Sequence, residues 1–405
     1  MTEDVTIPPA SSSQTKSEIR ESKRLYYLDW LRVILLLGIF LYHAIHPFDP
    51  IDWHIKNADQ SFTVMVIFFF AFPWGLPLFF LIAGAGSMFS LRRRSNRQYI
   101  RERVNRLLIP FVVGSILLSP FQKYLEALHK ETFQGSFLSF IPEMLAESTS
   151  GNLFSPHIFG RWGLHLWFLG FLFAYSLLAL PIFNWFKRDS GSSFVSWLGR
   201  VVEKRGGILL FILPLALARV LIQPFFPEEH GWLDFAYSFL VFISGYIIFS
   251  DERFLGIVQR DRWLLFAGGM MSLVAFSVMF AATSGSALAW FDTFVVPWSI
   301  LFNFVFALFS WCWALYVLYL AMTHLNFSNK WLDYGNGTIM PFYLIHQPVI
   351  ILIAFFVVQW DAGILVKLLI VVIGSFLITI GLVELLIRPF KPMRTLFGMK
   401  SRRPR

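Results

Sequence analysis

Charge is scarce in this chain: of 405 residues only 15% are Asp, Glu, Lys or Arg, while 56% are hydrophobic. A soluble domain carries roughly 25% charged residues, so a water-facing surface of ordinary extent is excluded. Cysteine is scarcer still. Cys312 stands alone, which excludes an intrachain disulfide and a cysteine-rich metal site; between Trp311 and Trp313 in an apolar run, it reads as inert packing. The sequence also lacks an internal repeat, a glycine-rich phosphate loop and a His-x-x-x-His pair suited to zinc. No bound metal and no permanently held cofactor are expected. Nor is there a polar stretch long enough for a second domain.

What is present is apolar sequence in long blocks, with Phe alone occurring 47 times. A hydrocarbon layer of ~30 Å needs about 20 apolar residues per helix. That ruler places helices near Leu28–Ile45, Val64–Phe89, Leu107–Leu125, Leu164–Phe186, Gly207–Ile222, Trp232–Phe249, Trp263–Thr283, Thr293–Met322, Thr338–Gln359 and Gly363–Arg388. The fold class is an all-α integral membrane protein, a polytopic bundle of about ten transmembrane helices. Residues 1–24, rich in Ser and Thr, read as a disordered tail, 25–390 as one membrane domain and 391–405 as a basic tail. The first apolar run is interrupted by Asp29 and Arg32 and lacks a small-residue cleavage site, so it does not read as a secretory signal.

Lys and Arg concentrate in cytoplasmic loops, and the charges alternate accordingly. With the N-terminus inside, inner segments collect Lys16 to Arg24, seven arginines from Arg92 to Arg106, Lys187 to Arg205, Arg253 to Arg262, Lys330 and the tail after Arg388. The outer loops keep Lys56, Lys130 and Arg161. Both termini are therefore expected in the cytoplasm. The net charge of +9 is a topology signal; it lies in strips beside membrane spans, the setting for lipid contact rather than nucleic-acid binding.

Ionisable groups inside spans are costly and usually face a bundle interior or a wet cavity. The first span carries Asp29, Arg32, Leu36, Ile39 and His43 at steps of three or four, on one helix face. Arg32 and His43 are three turns apart, roughly 16 Å of rise. The spacing alone is equally compatible with an ion pair at the inner interface and a hydrogen-bonded interfacial histidine. Arg103 and Arg106 share one side if their segment is helical, and planar guanidinium forks suit phosphate oxygens; anchoring to anionic lipid explains the same charge. His165 opens the fourth span before Trp167, and His346 lies midway along the ninth, in Tyr343-Leu344-Ile345-His346-Gln347-Pro348. A mid-span histidine is costly without partners, which favours a cavity-lining role. His46 belongs among the headgroups, Arg219 and Lys367 near span ends are expected to snorkel, and Glu384 to balance the basic tail.

Taken together these residues resemble the membrane acyltransferase-3 family. Asp29-x-x-Arg32 with His43 eleven residues on is similar to its first-span signature, and Arg103-Val104-Asn105-Arg106-Leu107-Leu108-Ile109-Pro110 to its arginine pair. His165-Leu166-Trp167-Phe168-Leu169 and Tyr343-Leu344-Ile345-His346-Gln347-Pro348 resemble two further stretches, in matching order from about Tyr26 to Arg388. Within the family the likeness runs to the branch of the glucan biosynthesis protein C type, which decorates periplasmic glucans with acyl groups such as succinyl. The hydrolase-like domain that some relatives carry after the membrane domain is lacking, and functions needing it are not expected.

The resemblance implies transfer of an acyl group, succinyl or acetyl among the candidates, from cytoplasmic acyl-CoA to a hydroxyl of a glycan at or beyond the outer face of a bacterial inner membrane. It casts His43 as general base, Arg32 as a group holding the donor or polarising its carbonyl, Asp29 as its orienter, and Arg103 and Arg106 as ligands of the donor phosphates. His165, Trp167, Tyr343 and His346 would line the acceptor or acyl path. A transporter or flippase would also line a path with charges and histidines, but commonly shows inverted repeats. A glycosyltransferase would call for an Asp-x-Asp pair or a large outer domain, and a scaffold leaves His43 and His346 without a task.

Overall fold

The computed structural model describes residues 24–282 and 296–399. Among the described residues there is no strand, and eight helices are long and apolar enough to cross a membrane. These are α1 (Tyr26–Ile45), α2 (Phe72–Arg93) and α3 (Asn96–His129), then, after α4 (Ile158–Leu178), α5 (Leu180–Phe186) and α6 (Gly207–Ile222), the helices α7 (Trp232–Ser250), α8 (Arg262–Ala282), α9 (Val296–His324), α10 (Lys330–Val357) and α11 (Ile364–Ile387). The chain is an integral membrane protein.

The differences from the ten expected spans have local causes. Val64–Phe89 is divided into a helix over Phe62–Phe69 and α2; Pro73 lacks the amide hydrogen that would carry one helix into the next. The fourth span is α4 followed by α5 at a bend of 48°, with Pro181 at the break. Counted as one, the pair is a ninth span, and α6 is a shorter apolar helix. Thr283 and Thr293, the expected ends of two spans, lie outside the described residues, as does the tail before Arg24. The arginine-rich connection before Leu107 is helical: Ser95 and Gln98 form a reciprocal capping box that starts α3 at Asn96. The described part of the basic tail forms a short helix over Lys391–Leu396. After it Gly398, at φ +68°, packs against Pro110 and Met340.

Apolar side chains face outwards in stripes. Leu365, Leu369, Ile373 and Leu377 on α11, and Leu213, Leu217 and Leu221 on α6, are all exposed at steps of four. On α1 the exposed Ile34, Leu37 and Leu41 lie opposite the buried Leu28, Leu31 and Leu35. Such a surface is at home in lipid, where association between helices rests on close packing rather than water exclusion. The tightest approach is between α2 and α7. A methyl group added to Gly84 would overlap the carbonyl oxygen of Phe242, and one added to Gly245 would overlap that of Leu81. Gly84→Val is expected to force these backbones apart and cost about 1–3 kcal/mol. Gly38→Ala, with open space around it, should be tolerated; thermal unfolding of the two variants in detergent checks the contrast.

Candidate active site

The site begins with a proline. Pro348 has no amide hydrogen, so the carbonyl of Leu344, four residues earlier in α10, has no helical donor. His165 supplies one. Its Nε2 lies 3.3 Å from that oxygen and 3.2 Å from the carbonyl oxygen of Tyr343. Carbonyls only accept, so Nε2 carries the ring proton and Nδ1 keeps a lone pair, buried and without a hydrogen-bond partner. Tyr343 Oη donates in return to the backbone carbonyl of His165. This pair pins a tight turn in which Leu164 has φ +50°.

One turn further along α10, His346 is fully buried at 0% exposure. Its Nδ1 lies 2.7 Å from the Tyr343 carbonyl oxygen, so Nδ1 is the protonated nitrogen of the neutral ring and Nε2 is an acceptor. His43 Nδ1, 2.9 Å away, donates to that Nε2. The remaining nitrogen of His43, Nε2, is left with its lone pair. A single peptide carbonyl thus sets the tautomer of two histidines in series. The ring centroids of His43 and His165 each lie 5.2 Å from that of His346 and 6.2 Å from one another. Phe40 closes the floor against His346, Phe342 and Phe376. Among the described residues no group of three or more His, Cys, Asp or Glu side chains is placed to hold a metal ion.

Three turns away on α1 lies a second cluster. Arg32 Nη1 is 2.9 Å from Asp29 Oδ1, and Arg24 Nη2 is 2.7 Å from Asp29 Oδ2. Glu102 pairs with Arg94 and, at 3.7 Å, with Arg106. Arg103 Nη2 bonds Ser87 Oγ at 3.2 Å and its guanidinium lies 4.7 Å from the Tyr99 ring centroid. The charges of Arg103 and Arg106 both bear on Arg32. Arginines outnumber carboxylates in this cluster five to two, and the Nε atoms of Arg103 and Arg106 are buried with no acceptor. A buried donor without a partner asks for one, here an anion. The backbone is shaped to the same end. Pro110 leaves the Arg106 carbonyl without its helical donor, and the chain widens into a π-helical turn over Val104–Leu108, with Ile109 N bonded to Val104 O. Such turns are frequent at functional sites.

The sequence-derived candidates therefore fall into two groups, His43, His165, Tyr343 and His346 at one end of α1 and Asp29, Arg32, Arg103 and Arg106 at the other. Trp167 joins neither. Its ring stacks 4.2 Å from that of His230, a histidine whose pKa burial pushes down to about 4. His46 is buried under Trp53, ring centroids 5.7 Å apart, rather than lying among headgroups. Arg219 does not snorkel: at 4% exposure it bonds Asn303 Oδ1 at 3.0 Å with the Phe306 ring 3.9 Å away. Lys367, also buried, donates to Asn57 Oδ1 and the Val358 carbonyl. Glu384 pairs with Arg388 at 2.7 Å. Two residues beside the histidines escaped the sequence reading, His54 in a connecting segment and Glu126 just past an expected span end. Their rings and carboxylates carry no periodic signal; only the fold brings them to Gln347, which lies 3.3 Å from His54.

A buried histidine relay at one end of a membrane helix and an excess of arginine at the other define an enzyme that works within a bilayer. A family profile described as an acyltransferase domain matches residues 25–384. The chain belongs to the acyltransferase-3 family and is an acyltransferase. Glucans biosynthesis protein C of Salmonella paratyphi A and its counterparts in Salmonella agona and Salmonella dublin are each 23% identical to it over 336 residues, 80% of this chain and 82% of theirs. No solved structure matches.

The tautomers are testable without activity. In protein carrying ¹⁵N-labelled histidine, His43 and His346 are expected to show protonated Nδ1 and His165 protonated Nε2. A protonated Nε2 on neutral His43 would break the relay as drawn.

Proposed function

We propose that this enzyme moves an acyl group, succinyl or acetyl, from acyl-CoA on the cytoplasmic side of a bacterial inner membrane to a hydroxyl of a periplasmic or cell-surface glycan. The observation that carries the reading is the fixed tautomer of His43, whose Nε2 keeps a lone pair because Nδ1 donates to His346. A sugar hydroxyl is a weak nucleophile until its proton is taken, and a positioned imidazole is the usual base near neutral pH. His43 Nε2 accepts that proton as the oxygen attacks the thioester carbonyl. The carbon–sulfur bond then breaks, the sulfur leaves with the electron pair, and the proton passes from Nε2 to it, so that ester and free thiol are the products. His346 acts through His43, holding the ring and sharing the charge it gains, the part a carboxylate plays in a serine-hydrolase triad.

The arginine cluster supplies the other end. Phosphates of coenzyme A satisfy the orphaned Nε donors of Arg103 and Arg106 and relieve their mutual repulsion. Arg32 belongs with them. Lying three turns from His43, it holds the donor rather than polarising the carbonyl under attack, and Asp29 orients it. We infer that the arginine end and both termini face the cytoplasm, that α6 is a short tenth span beside the α4–α5 pair, and that 25–390 is the transferase domain between cytoplasmic tails 1–24 and 391–405. Lipid is its solvent, and the reading calls for no metal and no nucleic-acid partner.

Mass spectrometry of envelope glycans from a deletion strain tests this. An acyl increment lost in the deletion should return with wild type and stay absent with correctly inserted His43→Ala. In purified protein the same change should lower the rate by about 10²–10⁴-fold, the range of a lost general base; full restoration of the increment by His43→Ala would sink the assignment. Arg103→Ala combined with Arg106→Ala should raise KM for acyl-CoA at least about tenfold, since a charge-assisted bond is worth about 1.5–3 kcal/mol. An unchanged KM would mean that these arginines serve lipid alone.

A further inference from the structure

One segment beside the histidines is held far more firmly than a connecting loop needs to be. Between α1 and the helix at Phe62, the chain from Asp49 to Asn57 crosses the histidine end of the bundle as a strap. The Lys56 ammonium is its clasp: it donates to the Ile51 carbonyl at 2.8 Å, to Asp49 Oδ1 at 3.1 Å, and to the carbonyls of His46 and Asp49. The Lys56 amide bonds His129 Nε2 at 3.0 Å, and the Asn57 amide bonds the Pro47 carbonyl at 2.7 Å. Lys367 reaches across from α11 to Asn57 Oδ1 at 2.9 Å.

This clasp fixes two consecutive side chains. The Trp53 ring lies parallel to that of His43, within 17° and 6.3 Å between centroids. His54 Nδ1 is 2.5 Å from Glu126 Oε2. A carboxylate accepts, so Nδ1 carries the proton and Nε2 a lone pair, which takes a long 3.3 Å bond from the Gln347 amide. Gln347 is the residue after His346, so this histidine–acid pair abuts the relay. Its other carboxylate oxygen is held by Lys130 Nζ at 2.9 Å, and Lys130 lies 3.6 Å from Asp52. The pair is open to the surrounding medium, the side chains of His54 and Glu126 being 16% and 26% exposed.

We propose that this strap and Glu126 form the acceptor subsite: they take a neutral polyhydroxylated ligand, a saccharide, holding one hydroxyl on the His54–Glu126 pair beside the Trp53 indole while a neighbouring hydroxyl lies at His43. The proposal rests on the acyl-transfer reading and adds to it the residues that hold the acceptor. The charges argue for a neutral ligand. Two ammonium groups, Lys56 and Lys130, face three carboxylates, Asp49, Glu126 and Asp52, so there is no excess of cations to hold an anion, whereas the arginine cluster at the other end of α1 has cations in excess. Alternating donors and acceptors already paired with one another, beside an aromatic ring, suit hydroxyl groups. The Gln347 bond at 3.3 Å is weak enough for a hydroxyl to replace or bridge it. No bond to the substrate forms or breaks here; His54 and Glu126 are positioning residues.

The test uses the full chain in lipid nanodiscs, with a neutral glucose tetrasaccharide and coenzyme A as separate probes in calorimetry. His54→Gln, Glu126→Gln and Trp53→Leu should each weaken tetrasaccharide binding about tenfold, the loss of about 1.4 kcal/mol, with coenzyme A affinity and thermal unfolding unchanged. A variant that loses coenzyme A binding as well has lost its fold, and the judgement then rests on the other two. Equal tetrasaccharide binding by wild type and all folded variants overturns the subsite and leaves the acyl-transfer reading standing. So does coenzyme A binding by a wild type that ignores the tetrasaccharide. Failure of wild type to bind either probe overturns both.

Discussion

The carbonyl oxygen of Tyr343 is the point from which the histidine centre is set. His346 Nδ1 and His165 Nε2 both lie within hydrogen-bond distance of it, and His43 takes its tautomer from His346. Peptide carbonyls have a virtue here that side-chain carboxylates lack. They accept without carrying a full charge, and an unpaired carboxylate in the middle of a bilayer costs far more than a carbonyl already present in the helix. Pro348 makes the device possible by leaving the Leu344 carbonyl without its amide, so that His165 docks onto α10 where a regular helix would offer no free acceptor. A helix defect of one missing hydrogen thus orders residues 179 positions apart in sequence.

The same economy of charge runs through the rest of the bundle. Arg219 and Lys367 are buried in spans, and each has polar partners that neutralise its donors without a second full charge: Asn303 and the faces of Phe306 and Tyr237 for Arg219, Asn57 and a backbone carbonyl for Lys367. Ion pairs lie towards the ends of helices, at Asp29, Glu102, Glu126 and Glu384, and in the strap, where Lys56 meets Asp49. The helix faces turned outwards carry apolar side chains, Leu, Ile and Val together with Phe, Trp and Met. Polar groups inside hydrocarbon are expensive unless satisfied, and in the arginine cluster the Nε donors of Arg103 and Arg106 are left without an acceptor.

Much of this was legible in the sequence. Asp29, Arg32 and His43 share a helix face at steps the eye can follow, because a helix repeats every 3.6 residues, and the structure places the Asp29–Arg32 pair at one end of α1 and His43 at the other. The pairing of His346 with His43 was not legible, since nothing local links residues 303 positions apart. His54 stayed hidden for a different reason: a strap has no period, and its two inward side chains are recognisable only once Lys56 is seen to clasp the turn. Apolar runs located the spans but not their ends. Hydropathy records composition, whereas Pro73, Pro181 and the Ser95–Gln98 box act through single backbone hydrogens, which composition averages away. Arg219 and Lys367 misled for a related reason, because position near a span end says nothing of an Asn on a neighbouring helix or in the strap.

The two clusters on α1 constrain how any donor must be built. Roughly 16 Å of helix separates Arg32 from His43, and the residues between them, Leu35, Leu36 and Phe40, are buried. Phosphates held by the arginines therefore cannot lie near the histidine relay. The reacting carbonyl has to be carried there on an arm long enough to cover three helical turns and slender enough to pass an apolar interior. A nucleotide bearing a long flexible thioester arm meets both conditions, and a compact anion such as acetyl phosphate meets neither. The arrangement also divides the energetic work. On the proposed reading, binding at the arginines is electrostatic and remote from the chemistry, so it would hold the donor in register without stabilising the reacting carbonyl. His346 and His165 are both buried, which on the proposed reading would keep water from the point where thioester and hydroxyl meet. Water is the competing nucleophile in any acyl transfer. A relay built from backbone carbonyls and neutral imidazoles activates a hydroxyl without drawing water in, as a buried carboxylate would.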